Sequence, residues 1–107
     1  MLIYRQVCDL PPLLFSTSST VSNAVGTLDD ATGLTIYAPA TITGTITVQV
    51  EPTSTGTSFV ALQSGGSDIT LPASKATVIS PIAFRQIRLI TGTTEASART
   101  FTITKGI

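Results

Sequence analysis

The chain has no histidine, no tryptophan and a single cysteine in 107 residues. Without histidine, the usual base of a Ser or Cys hydrolytic triad is missing, and a Cys/His zinc site cannot be completed. Lysine could replace the base, but Lys75 and Lys105 stand in no Ser-x-x-Lys arrangement. Cys8 has no partner in the chain, so no internal disulfide framework exists. It reads as a small packed hydrophobe in a reducing compartment. Long hydrophobic runs are also missing. No stretch approaches the roughly 20 apolar residues of a membrane helix. The start, Met1-Leu-Ile-Tyr-Arg5, has neither the basic end nor the apolar length of a secretory leader, and none is expected.

Charge is scarce as well. Asp, Glu, Lys and Arg make up 11% of the residues, where about 25% is usual. Six basic and six acidic side chains cancel. That leaves no clustered basic field for phosphates or anionic lipid, so neither nucleic acid nor membrane is an expected partner. Thr and Ser take the place of the missing charges. A neutral hydroxyl surface lacks the repulsion that keeps sheet proteins apart, so part of it is expected to be covered by protein partners, in a homo-oligomer among other assemblies.

What is present alternates. Thr45-Ile-Thr-Val-Gln-Val50 puts Ile46, Val48 and Val50 on one face and Thr45, Thr47 and Gln49 on the other, the two-residue period of a strand. Strands are also expected at Gly33–Ala38, Ser58–Gln63, Asp68–Leu71, Ala76–Ile79, Phe84–Ile90 and Arg99–Thr104. Ser64-Gly-Gly-Ser67 between two of them is a hairpin signal, because both glycines accept positive φ. Gly44, inside Thr41-Ile-Thr-Gly-Thr-Ile-Thr47, marks either a bulge or a place where another backbone comes close. The longest helix the sequence allows is a short turn at Glu95–Ala98. Seven to eight short strands about ten residues apart predict an all-β fold, an antiparallel β-sandwich or jelly roll.

The N-terminal part differs. Pro11 and Pro12 interrupt an apolar run, and Ser16–Thr20 is a polar patch. Residues 1–20 are therefore expected as an extended arm or an edge segment, and residues 21–107 as a single sandwich domain. The arm's apolar Leu2, Ile3, Tyr4, Leu13, Leu14 and Phe15 are the expected partner contacts. Arg88, between Ile87 and Leu89, joins them as a fork to a carboxylate or carbonyl, with an exposed edge charge as the alternative.

Other chemistry finds little footing. Asp9, Asp29, Asp30, Glu51, Asp68 and Glu95 could supply a carboxylate pair, but their spacing suits turns and caps. Asp29-Asp30 could hold calcium, yet it reads first as a turn entering the Leu34 strand, and no metal or cofactor is expected. The four Phe residues are expected in the core.

The run Phe59-Val-Ala-Leu-Gln-Ser-Gly-Gly-Ser-Asp-Ile-Thr-Leu71, followed by Ile79-Ser-Pro-Ile-Ala-Phe-Arg-Gln-Ile-Arg-Leu89, resembles small virion structural proteins of tailed bacteriophages. In particular it is similar to capsid decoration, or cement, proteins with a jelly-roll-like fold. The resemblance implies a non-enzymatic protein made in the host cytoplasm and bound to the capsid exterior of the virion. As a dimer or trimer it would bridge major capsid protein subunits and stabilise the head. The alternative is a carbohydrate- or receptor-binding module of a tail fibre or secreted protein.

Overall fold

The computed structural model of the chain describes residues 7–26, 31–53, 58–80 and 82–106. Among these the fold is all-β, without a helix. The strands are β1 (Val7–Phe15), β2 (Gly33–Tyr37), β3 (Ile46–Glu51), β4 (Val60–Ala61), β5 (Gln63–Ser64), β6 (Ser67–Asp68), β7 (Ala76–Ile79), β8 (Gln86–Thr91) and β9 (Arg99–Gly106). They form a four-stranded antiparallel sheet in the order β1-β9-β2-β7, a three-stranded one in the order β4-β3-β8, and the small hairpin β5-β6.

Alternation explains which side of each strand faces inward. In β3, Ile46, Val48 and Val50 are buried, as the Thr-Ile-Thr-Val pattern requires. Opposite them in β8 lie Ile87, Leu89 and Thr91. Leu13 and Phe15 of β1, Leu34 and Ile36 of β2, Ile79 of β7, and Phe101 and Ile103 of β9 are the buried apolar residues of the larger sheet. Side chains from both sheets merge with Val25 and Leu71 into one apolar cluster. Fully burying one such side chain contributes about 1.5–3 kcal/mol, so this cluster is the main source of stability.

The N-terminal segment, expected as an arm or an edge segment, is described from Val7 onward. From Val7 to Phe15 it is the edge strand β1, hydrogen-bonded antiparallel to β9. The two prolines fit because the register slips between Leu10 and Leu13, a bulge on an edge where a missing N–H costs no ladder bond. Leu13 and Phe15 then point inward, and the Phe15 ring meets Phe101 edge-on at 5.9 Å.

Residues 21–25 show no strand alternation in the sequence, yet they bridge to the free side of β8 at Val21–Ile90 and Val25–Ile87. Side chains complete this irregular edge. Ser22 Oγ accepts the Leu89 N–H at 2.8 Å. Asn23 Oδ1 accepts the Leu14 N–H at 2.7 Å, and its Nδ2 donates to the Pro12 carbonyl at 3.1 Å. Asn23 thereby ties the smaller sheet's edge to the β1 bulge.

The expected strand Ser58–Gln63 is split. β4 pairs with Gln49 and Val50 of β3, the chain leaves as the β5-β6 hairpin, and it returns to β3 at Thr70 opposite Thr47. The hairpin turns at Gly65 and Gly66 with φ of 63° and 84°, the paired positive values of a type I′ turn. Where the sequence allowed a short helical turn, Glu95–Ala98 is irregular with a bend, and the Glu95 side chain turns inward to bond another loop.

Candidate functional site

The surface most unlike an ordinary protein exterior is the outward face of the four-stranded sheet. Strand alternation places Thr100, Thr102 and Thr104 of β9 along its middle. Apolar residues flank this stripe: Leu14 on β1, Tyr37 on β2 and Val78 on β7, with Val7 at the corner. Val7 and Val78 are 66% and 68% exposed. Asp9 is the one charged side chain that the register places on this face among the described residues. Threonine methyls and hydroxyls on a pleated face offer short-range packing and hydrogen bonding without long-range charge. Such a face suits broad contact with another protein surface.

A second feature is a groove of about 490 Å³ between the two sheets' open edges. Val78 and Ile79 line it from β7, Val60 and Leu62 from the β4 side, and Ile69 and Phe84 from the neighbouring loops. Val60 is 60% exposed at its rim.

A third feature is the buried carboxylate of Glu95, 1% exposed. Its Oε1 accepts the Thr43 N–H at 2.9 Å and the Arg99 Nε–H at 3.0 Å. Its Oε2 accepts the Gly44 N–H at 2.9 Å and the Thr91 hydroxyl at 3.2 Å. Burial pushes the carboxyl pKa up, but the Gly44 and Thr43 amides, Arg99 and Thr91 together outweigh it and hold the group below its ordinary value. A fully partnered carboxylate of this kind joins loops and is not poised to move protons. Glu51, also buried, accepts the Ser58 N–H on Oε2 at 2.8 Å.

The residues expected to meet a partner are scattered. Leu2, Ile3 and Tyr4 lie outside the described residues. Leu13 and Phe15 are in the core and unavailable to a partner in this fold, whereas Leu14 between them faces out. Arg88 is half-buried on the outer side of the smaller sheet. Its Nε donates to Gln49 Oε1 at 2.8 Å, and its guanidinium lies 4.2 Å from the Phe59 ring centre, so its fork is engaged within the chain. Of the four Phe residues, Phe15 and Phe101 are core, while Phe59 and Phe84 are half-buried. Asp29 and Asp30, with the calcium reading attached to them, lie outside the described residues. Among the described residues no three Cys, Asp or Glu side chains group as metal ligands would.

Sequence reasoning missed the Glu95 junction. Its one available signal is the Glu95/Arg99 spacing of four, which usually reads as a helix pair. Comparison with family models, with curated proteins and with solved structures found no match.

Proposed function

We propose that this chain is a structural β protein that works by packing against other protein subunits and not by catalysis, and that its two sheets form a jelly-roll sandwich. Strand order supports this. Counting residues 21–25 as a strand, and β4 with its return at Thr70 as one strand, gives eight strands in chain order. The sheets then read first-eighth-third-sixth and second-seventh-fourth-fifth. Successive strands cross between sheets at every step but one, the winding of a double Greek key.

Within that class, the reading we favour is a capsid decoration protein of a tailed bacteriophage. It would sit on the capsid exterior of the virion as a dimer or trimer and stabilise the head by binding major capsid protein subunits. The observation that carries it is the nearly uncharged threonine face of the larger sheet, edged by Leu14, Tyr37 and Val78. Modest contacts of this kind become strong when symmetry repeats them over a shell.

The test is to mix the purified chain with empty heads assembled from the cognate major capsid protein. Saturable binding in fixed ratio to the subunits, with a raised melting temperature of the heads, is expected. Replacing Thr102 and Thr104 by Lys should abolish both. Heads that neither bind the chain nor gain stability would overturn the reading.

A further inference from the structure

The sheet edges are not equally guarded. β1 carries Pro11, Pro12 and a bulge, β4 is two residues long, and residues 21–25 pair with β8 in a register that shifts between Val21–Ile90 and Val25–Ile87, with Ser22 Oγ accepting the Leu89 N–H. Each of these discourages an added strand. β7 is different, since Ala76-Thr-Val-Ile79 has no charge, no proline and no bulge, and it lies at the end of its sheet.

The direction of its free backbone groups follows from the ladder. Ala38 N–H donates to the Lys75 carbonyl at 3.0 Å, and antiparallel hydrogen-bonded pairs recur every second residue. Thr77 and Ile79 therefore bond to β2, while the N–H and C=O groups of Ala76 and Val78 face away from it. Among the described residues nothing takes them up. Directly beside this edge lies the apolar groove with Val60, Leu62, Ile69 and Phe84 in its walls. An extended segment added to β7 would satisfy those backbone groups and drop every second side chain into the groove.

The sequence supplies such a segment. Residues 1–6, Met-Leu-Ile-Tyr-Arg-Gln, precede Val7, where the described strand β1 begins. In extended form, Leu2 and Tyr4 share one face and Ile3 and Arg5 the other. Only the first arrangement keeps a charge out of an apolar groove. Reach decides between the chain's own groove and another's. Val7 and β7 lie at opposite edges of one sheet, three strand spacings or about 14 Å apart, whereas the three residue steps from Tyr4 to Val7 span only about 10 Å. Tyr4 therefore falls short of β7 in the same molecule.

We propose that β7 and its groove receive residues 1–6 of a second copy of this chain as an added strand, with Leu2 and Tyr4 seated in the groove. Donor and acceptor lie on opposite edges of the molecule, so the contact is head-to-tail and builds a ring or an open chain of copies. This does not depend on the capsid reading.

Light scattering on the full-length chain at micromolar concentration tests it. The wild type should be multimeric. Leu2→Asp combined with Tyr4→Asp removes the donor, and Val78→Pro removes an outward N–H that the fold does not use, so each variant should be monomeric. Mixed together they should form a heterodimer of twice the monomer mass, because each retains the half the other lacks. If Val78→Pro loses the cooperative melt, Val60→Asp in the groove replaces it as the acceptor-dead chain. A monomeric wild type, a multimer in either variant, or a mixture that stays monomeric would overturn the proposal.

Discussion

Gly44 and Glu95 hold each other in place: the Gly44 N–H reaches Glu95 Oε2 at 2.9 Å, and it can do so only because Gly44 has no side chain. A Cβ there would lie 2.7 Å from Thr93 N and 2.9 Å from Thr93 O, and closer still to Thr91 Oγ1. The loop before β3 and the loop between β8 and β9 are thus joined backbone to carboxylate at one end of the molecule.

Removing the carboxylate leaves the Thr43 and Gly44 amides and the Arg99 Nε–H without their acceptor. Glu95→Ala is expected to lower stability by about 3–5 kcal/mol, the usual cost of breaking a buried charged pair. Urea unfolding of the variant at neutral pH measures it.

The same group sets an acid limit. Because the folded-state pKa of Glu95 is depressed, its contribution is fully present above the unfolded-state carboxyl value of about 4.3. It is lost as pH falls through the lower folded value. Stability should therefore decline below about pH 4.3, and Glu95→Gln, already lacking the ionised group, should decline less steeply. Unfolding curves across the acid range compare the two slopes.

Gly44→Ala should destabilise by about 1–3 kcal/mol through overpacking against backbone that cannot yield. Gly92→Ala, where an added Cβ meets nothing within 4 Å, should stay within about 0.5 kcal/mol of wild type. Thermal melts of the pair separate close approach from any general intolerance of glycine replacement.

Neighbouring positions of β1 should behave oppositely in the isolated chain. Leu13→Ala is expected to cost about 2–5 kcal/mol because it empties core space. Leu14→Ser should change stability by less than about 0.5 kcal/mol. Equal and small effects would mean that β1 is not bound to its own sheet.

These contrasts show where the sequence was readable and where it was not. Ile46, Val48 and Val50 could be assigned to one face because alternation is a local property of a half-buried strand. Gly65-Gly66 announced its turn because positive φ is a property of single residues, and Gly44 was marked as either a bulge or a close approach, of which the structure shows the close approach, to the Thr93 backbone. The strand status of residues 21–25 was hidden, since their side chains do not alternate, and the backbone bonds to β8 are completed by Ser22 and Asn23 side chains acting across 67 and 9 residues. Pro11-Pro12 left an arm and an edge segment both open, because a bulge that lets such residues close an edge is set by the neighbouring strand. Glu95 read as a loop acid because its partners Thr43 and Gly44 lie 52 and 51 residues away. The outward threonine face was implicit in the composition, but only the register brings Thr102, Tyr37 and Ala76 side by side.

The β5-β6 hairpin leaves the sheet after Leu62 and returns at Ile69, whose N–H donates to the Leu62 carbonyl at 2.9 Å. That bond closes the excursion at its base, so chain length beyond it is separated from the core. Foreign sequence spliced between Gly65 and Gly66, where a Cβ added to either would meet nothing within 4 Å, should cost only about 0.6 kcal/mol per doubling of loop length. The tip of this hairpin is thus a natural grafting point, from which a tag or epitope can be carried outward while the melting temperature of its host barely changes.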